Sequence, residues 1–467
     1  MKSMARMVLV AGLILMMGAA APADTAATLA KIHADAAGSL AVLRCKYKTE
    51  LVEHTLGGQA FCIGADREGK AVFMTLSLDA RMQEEELSDF SLLLPGADRK
   101  EVKAQLMGID PETNLGFVRV LENGSFAKIA FDTKAQVKPG QQVFSIGLIP
   151  GDAANTPYLG TAYVSAVRRL PRKLVSVTGG ALTQSGSPVF NAEGKAIGLV
   201  GRQLFQGYQM VANRQTMTVG LQPQQDTSYF LPIEEFAHVL RMIPTPGKQR
   251  KLPWLGVIHF EGVNEELADA LQLDRPGVMI DKLVPGFAAE KAGLKNRDVV
   301  VAVNGQPLER LATPQLTAQE MMTTLLRFAP GEKITLRVLR SGQTKDYPIS
   351  LDAMPKAAHE AKRYADKQLG MVVREKVMLD KYTDVLGTAD VDGLVVVAVA
   401  RNSPAAKGDL RADDVITNVN ALAVTTVDAF QAAVEPALKA QPPKAINLMV
   451  RRGNQNVAVA IQPTPAD

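Results

Sequence analysis

Ser185 stands in the run Thr183-Gln184-Ser185-Gly186-Ser187-Pro188, small residues of the kind that form an exposed turn. A serine hydroxyl at its ordinary pKa is a poor nucleophile. It needs a base, usually histidine, held in place by a carboxylate. The five histidines are His33, His54, His238, His259 and His359, and none is near Ser185 in sequence. They form no His-x-x-x-His pair, and there is no Cys-x-x-Cys. No metal is therefore expected, and no cofactor is implied. The two cysteines lie in AVLRCKYK (Cys45) and GGQAFCIG (Cys62). Both runs read as strands, and His54-Thr55-Leu56-Gly57-Gly58 reads as the turn between them. Either the two thiols face each other as a disulfide or each is buried separately.

These residues must be positioned by a chain of 467 residues, which at roughly 150 per domain suggests about three domains. Apolar residues make up 47% and charged residues 21%, as in folded globular proteins. The net charge of +4 is too small a bias to argue for nucleic acid or an anionic membrane surface as a partner. Residues 1–23 combine Lys2 and Arg6, an apolar core from Met7 to Met17, and Ala21-Pro22-Ala23 as a small-x-small site. That is the pattern of a cleaved secretory signal, and the core is shorter than the roughly 20 residues needed to span a bilayer. The mature protein is expected to carry no membrane anchor and to be periplasmic or secreted.

Three blocks follow. Residues 25–245 contain short apolar runs (AVFMTLSL, FSLLLP, LGFVRVL, QVFSIGLI, LGTAYVSAV, AIGLVG) separated by turn residues, which suggests an all-β barrel or sandwich. The stretch PIEEFAHVLRMIP has helical spacing at Phe236, Val239, Leu240 and Ile243, with His238 on the solvated face. Residues 246–251, including Lys248-Gln249-Arg250-Lys251, read as a linker. The remainder is a repeat: an offset of 116 residues relates Leu294 to Leu410, Asp298 to Asp414 and Asn304 to Asn420. The modules span about 252–352 and 366–463, and the connector 353–365 lies in a stretch (DAMPKAAHEAKRYADK) that looks helical and solvated.

Each module resembles a PDZ domain. The pattern is WLGV, then LVPGFAAEKAGLKNRDVVVAVNG, then LRVLR, with QLGM, VARNSPAAKGDLRADDVITNVNA and VRRGNQ in the second copy. PDZ domains add an extended peptide to a sheet edge, and the loop around a Leu-Gly dipeptide receives its carboxylate. The resemblance places that loop on Leu255, Gly256 and Val257, and on Leu369, Gly370 and Met371. The helices that follow carry Met321, Met322 and Leu325, and Val427, Phe430 and Val434. A face buried in the module's own core fits these better than a ligand pocket. The second copy has Asp409 for Gly293 and Ala421 for Gly305.

Residues 50–240 resemble the trypsin-like HtrA/Deg protease family. The segments that carry this are GGQAFCIG, GIDPETNLGFVRV, VKPGQQVFSIG, LGTAYVSAVRR and TQSGSPVFNAEGKAIGLV. The resemblance implies a mostly β protein: a trypsin-like double β-barrel followed by two PDZ domains. It places the nucleophile on Ser185. Setting the family's Thr-x-x-His on Thr75 puts Leu78 at the histidine position, and the carboxylate position falls on Asn114. The glycine of the oxyanion hole, two before the nucleophile, is Thr183. Asparagine for the carboxylate alone costs about 10⁴ in rate in such a triad. Loss of the base costs about six decades.

The implied function is a secreted HtrA-like pseudoprotease that binds peptide segments or C-termini, misfolded envelope proteins among them, in a chaperone or adaptor role. Two alternatives stay open: a serine endopeptidase with a substitute base, Lys173 and Lys195 flanking the loop in sequence, and a structural envelope scaffold. Relatives often form homo-oligomers, although no N-terminal aromatic trimer contact can be named in this sequence.

Overall fold

A computed structural model describes residues 25–48, 53–98, 100–149, 154–169, 172–201, 209–212, 215–218, 229–383 and 387–464. The expected signal segment, residues 1–23, lies outside them. Helix α1 (Thr25–Ala36) leads into a closed barrel. Its strands are β1 (Leu40–Lys48), β2 (Glu53–Ala65), β3 (Ala71–Thr75), β4 (Leu87–Leu93), β5 (Glu101–Ile109) and β6 (Gly116–Val120), in the order β1-β2-β3-β6-β5-β4. Strands β7 (Gln142–Leu148), β8 (Pro157–Arg169), β9 (Lys173–Ala181), β10 (Pro188–Phe190) and β11 (Ala196–Val200) form most of a second barrel. A ribbon of β12 (Gln209–Ala212) and β13 (Gln215–Thr218) follows, and β14 (Tyr229–Pro232) closes the barrel in the order β10-β11-β14-β9-β8-β7.

Strand alternation explains how one barrel serves two cores. Successive side chains point to opposite faces. Ala41, Leu43, Cys45, Ala60, Cys62 and Phe73 fill the first barrel. Their neighbours Leu40, Phe61, Val72 and Met74 face outward and join Phe144, Ile146, Phe190 and Leu231 of the second barrel, together with Ile32 of α1. The candidate cleft lies along this seam.

Of the two alternatives for the cysteines, separate burial is the one found, and several local expectations fail. Cys45 and Cys62 are free, buried thiols and not a disulfide. Cys45 pairs with Leu56, six residues from Cys62, or about 20 Å along the strand, far beyond disulfide reach. The run His54-Thr55-Leu56-Gly57-Gly58, expected as a turn, is itself part of β2. The stretch expected as a helix before the linker forms only two 3₁₀ turns, Ile233–Glu235 and Val239–Arg241. Phe236 and Val239 are buried as the spacing suggested. His238 is buried too, not solvated, and Arg250 of the expected linker is sequestered in an ion pair.

The first repeat module contains β15 (Pro253–Trp254), β16 (Val257–Gly262), α2 (Glu265–Ala270), β17 (Val278–Leu283), α3 (Ala288–Lys291), β18 (Val299–Val303), β19 (Gln306–Pro307), α4 (Pro314–Leu326), β20 (Lys333–Arg340), β21 (Gln343–Ser350) and β22 (Asp352–Ala353). The connector is not helical. It makes a 3₁₀ turn at Ala358–Glu360 and then strand β23 (Arg363–Asp366). The second module continues with β24 (Met371–Glu375), α5 (Met378–Thr383), β25 (Leu394–Val399), α6 (Pro404–Lys407), β26 (Val415–Val419), β27 (Leu422–Ala423), α7 (Val427–Lys439), β28 (Ile446–Arg452) and β29 (Gln455–Ile461).

The repeated residues are explained by equivalent bonds. Arg340 makes a two-pronged ion pair with Asp298, as Arg452 does with Asp414. Asn304 accepts from the amide of Thr335, and Asn420 from that of Asn447. Thr313 and Thr426 cap α4 and α7 by accepting from the amides of Leu316 and Ala429. Met321, Leu325, Val427, Phe430 and Val434 are core residues, whereas Met322 is exposed.

Candidate functional site

Ser185 is exposed on the loop between β9 and β10. The loop is packed tightly over β7. A Cβ on Gly147 would stand 2.7–2.9 Å from Gln184 Oε1, Thr183 Cβ and Ser187 Oγ, so only glycine fits beneath it. Gln59 of β2 bolts the loop from the first barrel. Its Oε1 accepts from Gln184 Nε2 at 2.5 Å and from the Leu148 amide at 3.0 Å, and its Nε2 donates to Ser187 Oγ at 3.0 Å. Thr75 Oγ1 donates to the Gln59 carbonyl at 2.8 Å.

The backbone of this loop is largely committed. The buried Thr183 amide donates to Ser145 Oγ at 2.8 Å, the Gly186 amide to the Val200 carbonyl at 2.8 Å and the Ser187 amide to the Gln184 carbonyl at 3.1 Å. An oxyanion hole needs the amides of Ser185 and Thr183 to point together at one oxygen. Here the second is spent on Ser145. Burial pushes the Tyr158 phenol above its ordinary pKa, with a hydrogen bond to the Gln184 backbone opposing.

Ser185 Oγ has no hydrogen-bond partner among the described residues. A Cβ on Gly201 would stand 3.1 Å from Ser185 Oγ and 3.5 Å from Leu76 Cδ1, and Leu76 also flanks Gly186. The side chain of β3's continuation that meets the serine loop is therefore aliphatic Leu76. Leu78, two residues on, is buried in the first-barrel core, where its Cδ1 lies against Gly116. Asn114 is close by: its Oδ1 accepts from the Ala80 amide at 3.0 Å. The structure thus brings Leu78 near Asn114 and sets Leu76 against the serine loop. Lys173 Nζ is paired with Glu234 at 2.7 Å, away from the serine.

Asn114 adopts φ 57° at the end of a turn organised by Asp110. Asp110 Oδ1 accepts from the amides of Glu112 and Thr113 and from Thr113 Oγ1. Glu112 is enclosed by Arg172 and His238, the latter at 2.8 Å. Burial alone would raise the Glu112 carboxyl. The His238 hydrogen bond and the Arg172 charge outweigh it and hold it at about 2. Glu235, facing Arg327 and Arg172, is shifted upward because burial dominates there.

Sequence reasoning did not single out Leu76, Gln59, Ser145 or the Asp110–Glu112 cluster. Gln59 carried a signal, as a lone polar residue directly before the apolar run AFCI. Leu76 carried none beyond strand alternation.

In the first repeat module Gly256 has φ 82°, and a Cβ there would overlap Phe287. Leu255 and Gly256 carbonyls accept from the Ala289 and Val284 amides, which fixes the loop while leaving β16 at the end of its sheet. The equivalent Gly370 has φ 70° and packs on Ser403, and Leu369 and Met371 are buried.

Two closed barrels meeting at a serine loop, followed by two modules of this kind, define a trypsin-like peptidase domain with two PDZ domains. The family description "trypsin-like peptidase domain" matches residues 58–199, and "PDZ domain" matches residues 256–339 and 369–462. The chain is 30% identical over 349 residues to a probable periplasmic serine endoprotease DegP-like of Marinomonas sp. (strain MWYL1), covering 71% of this chain and 66% of that protein. A protein of the same description from Hahella chejuensis (strain KCTC 2396) is 27% identical over 375 residues, covering 76% and 72%. The match thus spans about two thirds of the length of these curated relatives. A solved structure, the HtrA-type protease AlgW with tripeptide, superposes with TM-score 0.51 at 21% identity, covering 70% of this chain and 98% of that one. The chain belongs to the HtrA/Deg-type family of trypsin-like serine proteases with C-terminal PDZ domains.

Proposed function

We propose that this protein is a HtrA-like pseudoprotease of the periplasm or cell exterior. Its barrels act as a scaffold, and its PDZ modules capture peptide segments or C-termini of other proteins, misfolded envelope proteins among them. The observation that carries the reading is the surroundings of Ser185. Leu76 packs beside the serine loop at Gly186 and Gly201, Asn114 accepts from the Ala80 amide, and the Thr183 amide is held by Ser145. Among the described residues, a serine so placed has no group set to take its proton and half an oxyanion hole. The relatives' names support a periplasmic setting.

A second reading, an active serine endopeptidase, is favoured by those same names, which call the relatives endoproteases, and by the exposure of Ser185. Hydrolysis of unfolded casein by the full mature chain separates the two. The expected result is no turnover above that of Ser185→Ala and no stoichiometric adduct with a serine-directed phosphonate. Casein cleavage that disappears in Ser185→Ala would overturn the pseudoprotease reading. Capture of immobilised peptides that depends on a free C-terminal carboxylate tests the PDZ role against that of a purely structural scaffold.

A further inference from the structure

The two PDZ modules part company just before their Leu-Gly loops. In the first, β15 turns away to pair with β22 (Pro253 with Ala353, Trp254 with Asp352), and β16 ends its sheet. In the second, β23 folds back on β24, pairing Arg363 with Arg374, Tyr364 with Val373, Ala365 with Val372 and Asp366 with Met371. Strand β24 also pairs with β25, so both of its edges are taken. An antiparallel strand added to a sheet edge is how such modules take an extended segment. Strand β23 runs this way, with its C-terminal end at the Leu-Gly loop.

The side chains complete the likeness to a bound ligand. Asp366 presents its carboxylate to the loop: Oδ1 accepts from the Leu369 amide at 2.9 Å, and its carbonyl accepts from the Gly370 amide at 2.7 Å. Two residues earlier, the Tyr364 ring packs on Phe430 of α7 at 6.2 Å between centroids, and its hydroxyl donates to Asp366 Oδ2 at 2.7 Å. Lys362 Nζ meets Asp428, at the start of α7, at 2.6 Å, and its carbonyl accepts from the Glu375 amide at 2.9 Å. The strap is also tied to the first barrel. Arg363 pairs with Glu86, and Gln83 Nε2 donates to the His359 carbonyl at 2.7 Å.

We propose that residues 362–366 are an internal ligand occupying the strand-binding edge of the second PDZ module. The site's ligand class is then an extended segment with a carboxylate at the loop, an aromatic residue two positions before it and a basic residue opposite Asp428. The first module is the one open to external segments. The proposal rests on the reading of these modules as peptide-capturing. A short tether sets the strap's effective concentration on the order of millimolar, so an external segment gains the second module only when the strap is displaced. The ion pair of Lys362 with Asp428 is an exposed contact of the kind that contributes little in water, so that end of the strap is held weakly.

The test uses the full mature chain and a synthetic peptide with the sequence of residues 361–366 carrying an N-terminal photoreactive benzophenone. Cross-links are mapped by mass spectrometry in the wild type and in the double variant Lys362→Glu with Arg363→Glu. Unchanged hydrogen-exchange protection of β25 and β26 verifies that the second module stays folded. The expected result is labelling along β24 at least tenfold higher in the double variant than in the wild type, with labelling of the first module unchanged. Equal labelling of β24 in wild type and double variant would overturn the proposal. So would labelling confined to the first module in every variant, and that outcome leaves the capture reading intact. No labelling of either module would defeat both.

Discussion

Arg250 Nη1 lies 2.6 Å from Asp110 Oδ2 and 3.0 Å from Glu112 Oε2, and its Nη2 donates to the Leu326 carbonyl at the end of α4. One side chain thus joins the turn that sets Asn114 to the helix of the first PDZ module. Its guanidinium is buried against two carboxylates that are themselves fully enclosed. Removing one partner of such a set leaves uncompensated buried charge, at a cost of about 3–5 kcal/mol. Arg250→Ala is therefore expected to lower the first thermal unfolding midpoint by several degrees. An unchanged midpoint would show that the contact contributes nothing.

Glu112 supplies a pH dependence whose sign can be worked out. Its folded pKa of about 2 lies below the ordinary 4.5, so its stabilisation is complete above about 4.5 and fades as pH falls toward 2. The difference corresponds to about 3 kcal/mol. Denaturant unfolding of the wild type and Glu112→Gln at a series of pH values checks this. The stability gap should be near that figure at pH 6 and close toward zero near pH 2. Glu235 is present in both proteins and drops out of the comparison. A gap that stays constant between pH 6 and pH 3 contradicts the assignment.

The architecture was legible because it rests on repeated local patterns. Short alternating strands gave the barrels, and the 116-residue offset gave two modules whose matching Asp298/Asp414 and Asn304/Asn420 make matching bonds. What escaped the sequence depends on tertiary placement. His238 and Arg250 look like solvated positions because nothing local announces the buried Asp110 and Glu112 that enclose them. The sequence left the cysteine pair open, and separate burial follows because the expected turn residues Gly57 and Gly58 sit inside a 13-residue strand, which moves the hairpin register by several positions. At the serine loop, the types of Ser185, Asn114 and Thr183 could be read in advance. That Leu76 packs against the serine loop while Leu78 turns into the barrel is a matter of which strand face bends toward the seam.

Ala421 stands where the first module has Gly305, in the left-handed region at φ 68°. A Cβ is disfavoured there by roughly 1–2 kcal/mol. The equivalent Gly305 lies at φ 78° with open space where a Cβ would stand, so the strain is in the backbone and not in packing. Ala421→Gly should stabilise the second PDZ module by about 1 kcal/mol, part of the gain being returned to the unfolded chain's entropy. Local hydrogen exchange at β26 and β28 measures it. Faster exchange in the variant would mean that the turn is not strained.

Trp254 is the chain's single tryptophan. It is nearly buried, edge-on to Phe287 at 4.7 Å, and directly precedes Leu255-Gly256. A strand added along β16 with its carboxylate at that loop would alter the surroundings of the indole, so intrinsic fluorescence becomes a reporter for the first module alone. Saturable emission changes are expected on adding a peptide with a free C-terminus, weakened at least tenfold when that terminus is amidated, because the loop amides then lose their charged acceptor. Gly256→Ala should abolish the response, since the new Cβ overlaps Phe287 and φ 82° disfavours alanine. Unchanged far-UV circular dichroism of Gly256→Ala separates lost binding from lost folding, and a second variant serves as control. Met322→Ala alters an exposed residue of α4 and should leave both the emission spectrum and the response in place. A wild-type response insensitive to amidation would show that the Leu255-Gly256 loop does not receive a terminal carboxylate.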